Sequence, residues 1–428
     1  MYYNFALRQS EYEGYDMENI QEDPFIITHW WNIDQFCYFS HHFITVPPKV
    51  WIDQGHAHGV KVLGTLITEH KEGLFLCNEL FTFNSNMDSL IECLVKLTKI
   101  CNFDGWLINI ENPLPDGKVD QMWSFLETLT SKIKELDKGN IVIWYDSVVN
   151  TGELKWQNEL NEKNVQFFDV CDGIYLNYCW DCNKLDRSMI LATPEKCKNV
   201  YVGIDIFGRS TFGGGGFNAN VAMEEIKKRN MSTVLFGLGW LCEAHTNACI
   251  FKQNEKFFEL IKQYLRSRSV RKIPIITNFK NGFEMECNKR FCYAKSDIQP
   301  LFHDENNIFR DTPKMKPSGG FEICFKDQEN FKDYVMWYFD FDESVVKYLC
   351  CEVTYQKIKG SGELFINFLK NNEETIDFEK RDIEHEGILK MVFNATPSSL
   401  KKVVLSCKQN ECFETIFIIK SFSLTILN

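Results

Sequence analysis

The sequence predicts a mixed α/β chain: a (β/α)8 TIM barrel over residues 1–268, followed by a smaller antiparallel β-sandwich over residues 269–428. Three observations predict it. Between about residues 25 and 268, short apolar runs alternate with amphipathic stretches, and strand-then-helix repeats imply a parallel sheet, since parallel neighbours need a crossover connection. Near residue 270 the helical stretches stop and strand-length runs separated by turn residues take over. Finally, the apolar run Gly105-Trp106-Leu107-Ile108-Asn109-Ile110-Glu111 ends abruptly in polar residues, the pattern of a barrel strand that carries chemistry at its C-terminal end.

Eight strands are expected in the first region: Phe25–His29, Phe36–His41, Val60–Leu66, Gly105–Glu111, Ile141–Asp146, Gly173–Tyr178, Val200–Phe207 and Thr233–Leu238. The 3.6-residue periodicity predicts helices over Pro48–His58, Asp88–Cys101, Lys118–Leu136, Glu153–Lys163, Val221–Lys228 and Glu255–Arg266. One junction fits poorly. The gap from Trp30 to Gln35 is too short for a crossover helix, so either the first connection lacks one or the first strand lies elsewhere. Beyond Lys272, strands are expected at Phe321–Phe325, Val335–Phe341, Tyr348–Tyr355, Glu363–Phe368, Ile388–Phe393, Val403–Cys407 and Thr415–Ile419. Lys316-Pro317-Ser318-Gly319-Gly320 and Lys359-Gly360-Ser361-Gly362 punctuate them as turns.

The net charge of −12 argues against nucleic acid or an anionic membrane as a partner. Met231–Cys242, the longest uncharged apolar stretch, falls short of the ~18–20 residues of a membrane span. The first residues carry acids early and no basic head followed by an apolar run, so no secretory signal is expected. The 17 cysteines, an odd number scattered in apolar runs, then read as reduced core residues of a cytosolic, monomeric protein. The 36 Phe, 15 Tyr and 10 Trp fill a core but also provide flat faces on which sugar rings stack.

Alternation along the Gly105–Glu111 strand puts Leu107, Asn109 and Glu111 on one face, Leu107 as a core layer and the polar pair at the rim. Pro113 and Pro115 end the strand. Three other strand ends reach the same mouth. Ile141, Ile143 and Tyr145 share a face, which brings the Tyr145 hydroxyl to the rim; Asn177 opens an aromatic loop containing Trp180; Asp205 stands near the end of the seventh strand. Other motifs carry less. Gly213–Gly216 lacks the Lys-Ser/Thr of a phosphate loop and reads as a mobile loop over a cleft. Cys179-Trp180-Asp181-Cys182 has no second pair to complete a zinc site, and the early histidines show no metal-ligand spacing, so neither metal nor cofactor is expected.

A glycosidase ordinarily uses two carboxyl groups. Here the residue two positions before Glu111 is an amide, which cannot act as base or nucleophile but can orient a neutral substrate group. That fits the substrate-assisted exception, in which a sugar's own 2-acetamido oxygen attacks the anomeric carbon. Glu111 would protonate the leaving oxygen and later deprotonate water, with its pKa raised by the apolar wall.

The segments His29-Trp30-Trp31, Tyr38-Phe39-Ser40-His41-His42, His58-Gly59-Val60-Lys61-Val62-Leu63-Gly64-Thr65 and Asp104–Asn112 resemble, in order, those of glycoside hydrolase family 85. The likeness continues through Trp144-Tyr145-Asp146-Ser147-Val148, Leu154–Asn161, Tyr201–Arg209 and Phe236-Gly237-Leu238-Gly239-Trp240, and fades after Leu301. The resemblance implies cleavage between the two N-acetylglucosamine units of the N-glycan core, with retention through an oxazoline and with possible transfer to other acceptors. By matching position, Glu111 is the expected acid/base, Asn109 the residue that orients the acetamide, and Tyr145 an assistant at the same centre. Trp156 and Trp180 are expected to flank the reducing-side sugar; Trp240, Asp205 and Asn177 complete the expected substrate-binding set. Two alternatives stay open: a chitinase-like hydrolase, disfavoured because those relatives carry Asp where Asn109 stands, and a barrel lectin that binds glycan without cleaving it.

Overall fold

The computed structural model describes residues 3–8, 29–245, 250–265, 269–270, 273–278, 283–286, 289–292, 314–315, 320–325, 331–341, 343–372, 374–376, 381–382, 386–409 and 415–427. They fall into two compact units. One holds residues 3–8, 33–56 and 60–265; the other holds 29–32, 57–59 and the described residues from 269 onward.

The first unit is built on strands β1 (Tyr3–Arg8), β2 (Gln35–Phe39), β3 (Ile44–Thr45), β4 (Lys61–Glu69), β5 (Gly105–Glu111), β6 (Ile141–Tyr145), β7 (Gly173–Leu176), β8 (Val200–Asp205) and β9 (Ser232–Phe236). Parallel pairings run β1–β2–β4–β5–β6–β7–β8–β9, and β9 pairs back onto β1, so eight parallel strands close into a ring. Strand β3 is a short antiparallel addition to β4. Helices α1 (Lys49–Ala57), α2 (His70–Thr82), α3 (Asn84–Cys101), α4 (Val119–Leu136), α5 (Val165–Val170), α6 (Cys182–Lys196), α7 (Ala219–Lys228), α8 (Trp240–Glu243) and α9 (Ile250–Ile261) lie between and after the strands.

Inside the ring, Cys37, Leu63, Leu107, Ile143, Tyr175, Tyr201 and Val234 form one buried layer, with Tyr145 and Phe236 packed on it. The period-2 alternation of each strand therefore places Leu63, Thr65, Ile67 and Glu69 on the inner face of β4, and Leu107, Asn109 and Glu111 on that of β5. The opposite face of β5 meets the helices. Trp106 is fully buried there, its indole N–H donating to Thr98 Oγ1 of α3 at 2.8 Å. Helix α3 itself buries Met87, Leu90, Ile91, Leu94 and Thr98, an i, i+3, i+4 stripe, and ends on Asn102 in the left-handed region (φ 58°).

Several expected elements need correction. Of the expected strand Phe25–His29, residues 25–28 lie outside the described residues; the ring's first strand is β1, with its partners on β2 and β9. The expected helix Glu153–Lys163 does not form. Val148 and Leu154 make an isolated antiparallel bridge, and the following backbone amides of Gln157 and Asn158 point at the Asp146 carboxylate instead of into a helical ladder. Helix α6 was not expected. It is capped by Asp181, which accepts from Lys184 N, but Thr193 (φ 58°) and Pro194 break its regularity and its Met189-Ile190-Leu191 run faces solvent, which hides the amphipathic period. Helix α2 was likewise missed, and β4 runs three residues past the expected Leu66.

The second unit contains two sheets. One follows the order Ser269–Val270, Phe331–Phe339, Leu400–Gln409, Gly362–Lys370, Thr375–Ile376, with Arg381–Asp382 also paired to Gly362–Lys370. The other follows Lys314–Met315, Phe321–Phe325, Thr415–Leu427, Lys347–Lys359, Glu386–Ala395, with Ile275–Thr277 on Thr415–Leu427. Apart from the parallel Ser269–Val270 pairing, each of these contacts is antiparallel. Inner-face residues of both sheets share one core, in which Trp337 meets Phe422 at 4.7 Å and Phe368 meets Phe393 at 4.9 Å between ring centroids. This is the interleaving of a β-sandwich.

Gly105 is the tightest backbone constraint on β5. Its φ is +137°, and a Cβ there would lie 1.8 Å from the Ile141 carbonyl oxygen, its partner residue on β6. Gly105→Ala is expected to cost at least about 3 kcal/mol in equilibrium urea unfolding; a loss below about 1 kcal/mol would show that the two strands can separate there freely.

Candidate active site

The C-terminal end of β5 presents Asn109 and Glu111 side by side. Asn109 is buried, and its Nδ2 donates to Glu111 Oε1 at 3.1 Å. Asn109 Oδ1, also buried, has no hydrogen-bond partner among the described residues, so the amide retains an unused acceptor beside Glu111. Burial raises the Glu111 carboxyl above its ordinary value; the Asn109 hydrogen bond acts the other way, Glu69 raises it further, and His41 and His70 lower it. A cavity of about 600 Å³ opens at this carboxyl, with His70, Lys71, Leu74, Pro113 and Leu154 in its wall.

A second group converges from β6 and β7. The Tyr145 hydroxyl donates to Asn177 Oδ1 at 3.0 Å, and Asn177 Nδ2 donates to Asn158 Oδ1 at 2.8 Å. Burial, then the charges of Glu111 and Asp146, push Tyr145 well above the usual phenol range, so it stays a neutral donor. Asn158 sits in the left-handed region (φ 57°) and is held by its backbone N–H on Asp146 Oδ2 at 2.6 Å. Asp146 Oδ1 accepts from Gln157 N at 3.2 Å and from Asn164 Nδ2 at 3.0 Å. Thus the loop that replaces the expected helix is wound around one buried carboxylate, and it delivers Asn158 to the Tyr145–Asn177 pair.

The aromatic candidates differ in accessibility. Trp156, on the same loop, is 41% exposed and offers an open face. Trp180 is 4% exposed; it donates through Nε1 to the Gly203 carbonyl at 2.7 Å and stacks on Phe212 at 4.9 Å. Trp240 packs edge-on against Phe217 (5.2 Å) and His245 (4.6 Å) and against the backbone of Gly216. Asp205 is 0% exposed, and both its oxygens are taken by Arg209: Nε at 2.8 Å and the backbone N–H at 2.9 Å on Oδ2, and a terminal guanidinium nitrogen at 2.9 Å on Oδ1. It is a loop anchor in this arrangement, and the half-exposed Arg209 is the group it presents. In the Gly213–Gly216 loop, Gly213 and Gly214 are exposed while the second half is packed: a Cβ on Gly215 would meet the Asp205 carbonyl at 2.3 Å. Cys179 and Cys182 are free, the Cys182 thiol donating to Glu225 at 3.5 Å.

Glu69 and His70 were not singled out in the sequence, His41 was read there as a strand-end residue, and Tyr178 as part of the aromatic loop. Glu69 stands opposite Glu111 in the β4–β5 register, and His41 Nδ1 lies 2.8 Å from Glu69 Oε2. His70 and Tyr178 also act on Glu111 or its surroundings. A signal for Glu69 existed: Leu63-x-Thr65-x-Ile67-x-Glu69 repeats the alternation of Leu107-x-Asn109-x-Glu111.

A model of the family "Glycosyl hydrolase family 85" matches residues 8–287. The chain is 40% identical over 284 residues to a cytosolic endo-beta-N-acetylglucosaminidase of Mus musculus, covering 66% of this chain and 38% of that protein. It is also 40% identical over 287 residues to the Homo sapiens protein of the same name, covering 67% and 38% respectively. It therefore spans well under half the length of these relatives. Among solved structures, the glycoside hydrolase domain of Endo-D from Streptococcus pneumoniae R6 matches 99% of this chain and 75% of its own, with a TM-score of 0.74 at 15% identity. At that identity the match speaks for the fold.

Burial pushes the Asp146 carboxyl up to about 6 from an ordinary 3.8, against the hydrogen bonds from Gln157, Asn158 and Asn164 that lower it. Between about pH 4 and 6 the unfolded chain has released a proton that the folded chain keeps, so this group makes stability fall as pH rises through that window, by on the order of 3 kcal/mol. Asp146→Asn is expected to remove that slope in thermal unfolding measured from pH 4 to 7. An unchanged slope would mean that Asp146 ionises in the fold as easily as in water.

Proposed function

The chain belongs to glycosyl hydrolase family 85, and on that premise we propose that it is a cytosolic endo-β-N-acetylglucosaminidase that cuts the β-1,4 bond between the two N-acetylglucosamine residues of the N-glycan core. Free oligosaccharides, glycopeptides and glycoproteins are its substrates, and the glycan can pass to water or to another acceptor. The observation that carries this reading is the Asn109–Glu111 pair: one half-buried carboxyl with raised proton affinity, hydrogen-bonded to a buried amide whose oxygen has no partner among the described residues.

The chemistry follows from those two side chains. The acceptor Asn109 Oδ1 takes the acetamide N–H of the sugar, which turns the acetamide oxygen toward the anomeric carbon and increases its electron density. That oxygen attacks, the glycosidic bond breaks, and the protonated Glu111 delivers its proton to the departing oxygen of the second sugar. The product on the enzyme is a bicyclic oxazolinium ion, whose N–H stays on the ring nitrogen and is donated to Asn109 Oδ1, so that the only proton moved is that of Glu111. Water then enters, the ionised Glu111 takes its proton, and attack at the anomeric carbon reopens the ring with the original configuration. Tyr145, kept neutral and oriented by Asn177, supplies a further hydrogen-bond donor at this centre. Trp156 supplies the open stacking face for the reducing-side sugar; the buried Trp180 stiffens the wall beside it. Trp240 stays in the proposed substrate-binding set, and Arg209, half-exposed over Asp205, takes the contact role expected of that buried carboxylate.

Incubation with a high-mannose Asn-linked glycopeptide, read by product mass, tests the reading directly. The expected products are a peptide keeping one N-acetylglucosamine and a glycan ending in the other; cleavage of chitin oligomers instead, or tight binding without cleavage, would select a chitinase-like enzyme or a lectin. Glu111→Gln is expected to lower turnover by about 10²–10⁴-fold while glycan binding persists. Asn109→Ala is expected to stop oxazoline formation yet still accept a supplied glycan oxazoline as donor. If that supplied donor also fails, Asn109 does more than orient the acetamide.

A further inference from the structure

The parallel register of β4 and β5 pairs Glu69 with Glu111 directly, each the last residue of its strand. Paired residues on adjacent strands sit about 4.8 Å apart and point to the same face. Two carboxyl groups therefore leave the barrel side by side, and only one of them has an assigned role. Glu69 is not loose: its Oε2 lies 2.8 Å from His41 Nδ1, and the His41 ring packs edge-on to Phe39 at 5.4 Å. Both partners are partly solvated, with side-chain exposures of 35% for His41 and 17% for Glu69.

We propose that Glu69 is a positioning residue for the acid/base: locked to His41, it lies beside Glu111 as a fixed negative charge that keeps the proton on Glu111 until the leaving oxygen takes it. The proposal rests on the endoglycosidase reading for what the proton is used for, but not for the coupling between the two carboxyls.

The groups facing Glu111 decide the sign. On its own strand stands the neutral donor Asn109; from β4 comes Glu69; from the segment after β2 comes His41; from the start of α2 comes His70; from β6 and β7 come the phenols Tyr145 and Tyr178. Among these, the group that favours a protonated Glu111 by its charge is Glu69, while His41 and His70 favour the ionised form. A like charge at one strand spacing shifts a carboxyl substantially. His41 tempers the effect in two ways. It holds the Glu69 carboxylate in place, and it acts on Glu111 in the opposite direction from Glu69. A nucleophilic role for Glu69 fits the geometry poorly, because a nucleophile and an acid act from opposite sides of the bond that breaks, whereas these two carboxyls rise from neighbouring strands with one oxygen of Glu69 committed to His41.

The test is the pH dependence of turnover on the N-glycopeptide for the full chain, comparing wild type with Glu69→Gln and His41→Gln. Removing the charge at Glu69 should move the basic limb, where Glu111 loses its proton, about one pH unit lower. In a His41→Gln background the same Glu69→Gln change should move the limb less, because the carboxylate is then no longer held beside Glu111. A basic limb that stays put in Glu69→Gln overturns the proposal, as does a loss of more than a thousandfold at every pH, which would make Glu69 a reacting group. A readout independent of turnover accompanies it: the carbon-13 titration of the Glu111 carboxyl, assigned by its disappearance in Glu111→Gln, should show the same downward shift in Glu69→Gln. If wild type cleaves no N-glycan, the proposed function fails while the titration still decides the coupling. If Glu69→Gln does not fold, Glu69→Asp, which draws the carboxylate back by one methylene, takes its place: a downward shift of the Glu111 titration supports the proposal and an unchanged one overturns it.

Discussion

A single carboxylic acid half withdrawn from water at the rim of a closed parallel sheet is the constraint on which the site depends. Glu111 can be held there because the strand that carries it is pinned on both faces. Leu107 sits in the interior layer beside Ile143 and Tyr175, and Trp106 is locked on the outer face to Thr98 of the neighbouring helix. The neighbour strands then fix what surrounds the acid. Register with β4 supplies Glu69, and the ends of β6 and β7 supply Tyr145 and Asn177. The polar groups at the mouth are therefore a consequence of strand pairing more than of loop design, which is why a rigid scaffold can hold their separations to within a fraction of an ångström.

How much of this was legible in the sequence depends on the range of the interaction involved. The Gly105–Glu111 strand, with its three inward residues, could be read to the residue because period-2 alternation and the following prolines are local signals. The layer of Leu107, Ile143 and Tyr145 followed from the same alternation. What could not be read were the features fixed by partners distant in the chain. The six-residue β1 holds its place through β2 and β9, and nothing in its own composition marks it more strongly than the expected Phe25–His29. Residues 153–163 have a helical period but lose the helix to Asp146, whose carboxylate draws the amides of Gln157 and Asn158 away from it. Likewise Trp180 and Asp205 have the right residue types for a sugar site, yet Phe212 covers one and Arg209 occupies the other.

The loop from Lys155 to Asn164 shows how a buried charge can replace secondary structure. Three donors converge on Asp146 from that loop, and in return the carboxylate fixes Asn158 in a backbone conformation that an L-residue otherwise avoids. The burial that raises the Asp146 proton affinity is the cost of the arrangement. Its product is a chain of hydrogen bonds from Asp146 through Asn158 and Asn177 to the Tyr145 hydroxyl, so that the orientation of a phenol at the mouth is set by a carboxylate that never touches it.

The residue types in that chain, and beside Glu111, follow a physical logic. The acid/base role proposed for Glu111 calls for an intermediate proton affinity, and each ionised neighbour moves it. Asn109, Asn158 and Asn177 direct hydrogen bonds without changing charge at any working pH, so they fix geometry; Asn109 lowers the proton affinity of Glu111 through its hydrogen bond but adds no charge to set against burial and the charges of Glu69, His41 and His70. Tyr145 fits the same pattern, since burial and the nearby carboxylates keep it protonated. Replacing any of these amides by a carboxylic acid of nearly equal size would preserve the shape of the site, but it would add a charge within reach of an acid whose function depends on being the one that titrates. The preference for amides over acids around Glu111 is therefore electrostatic before it is steric.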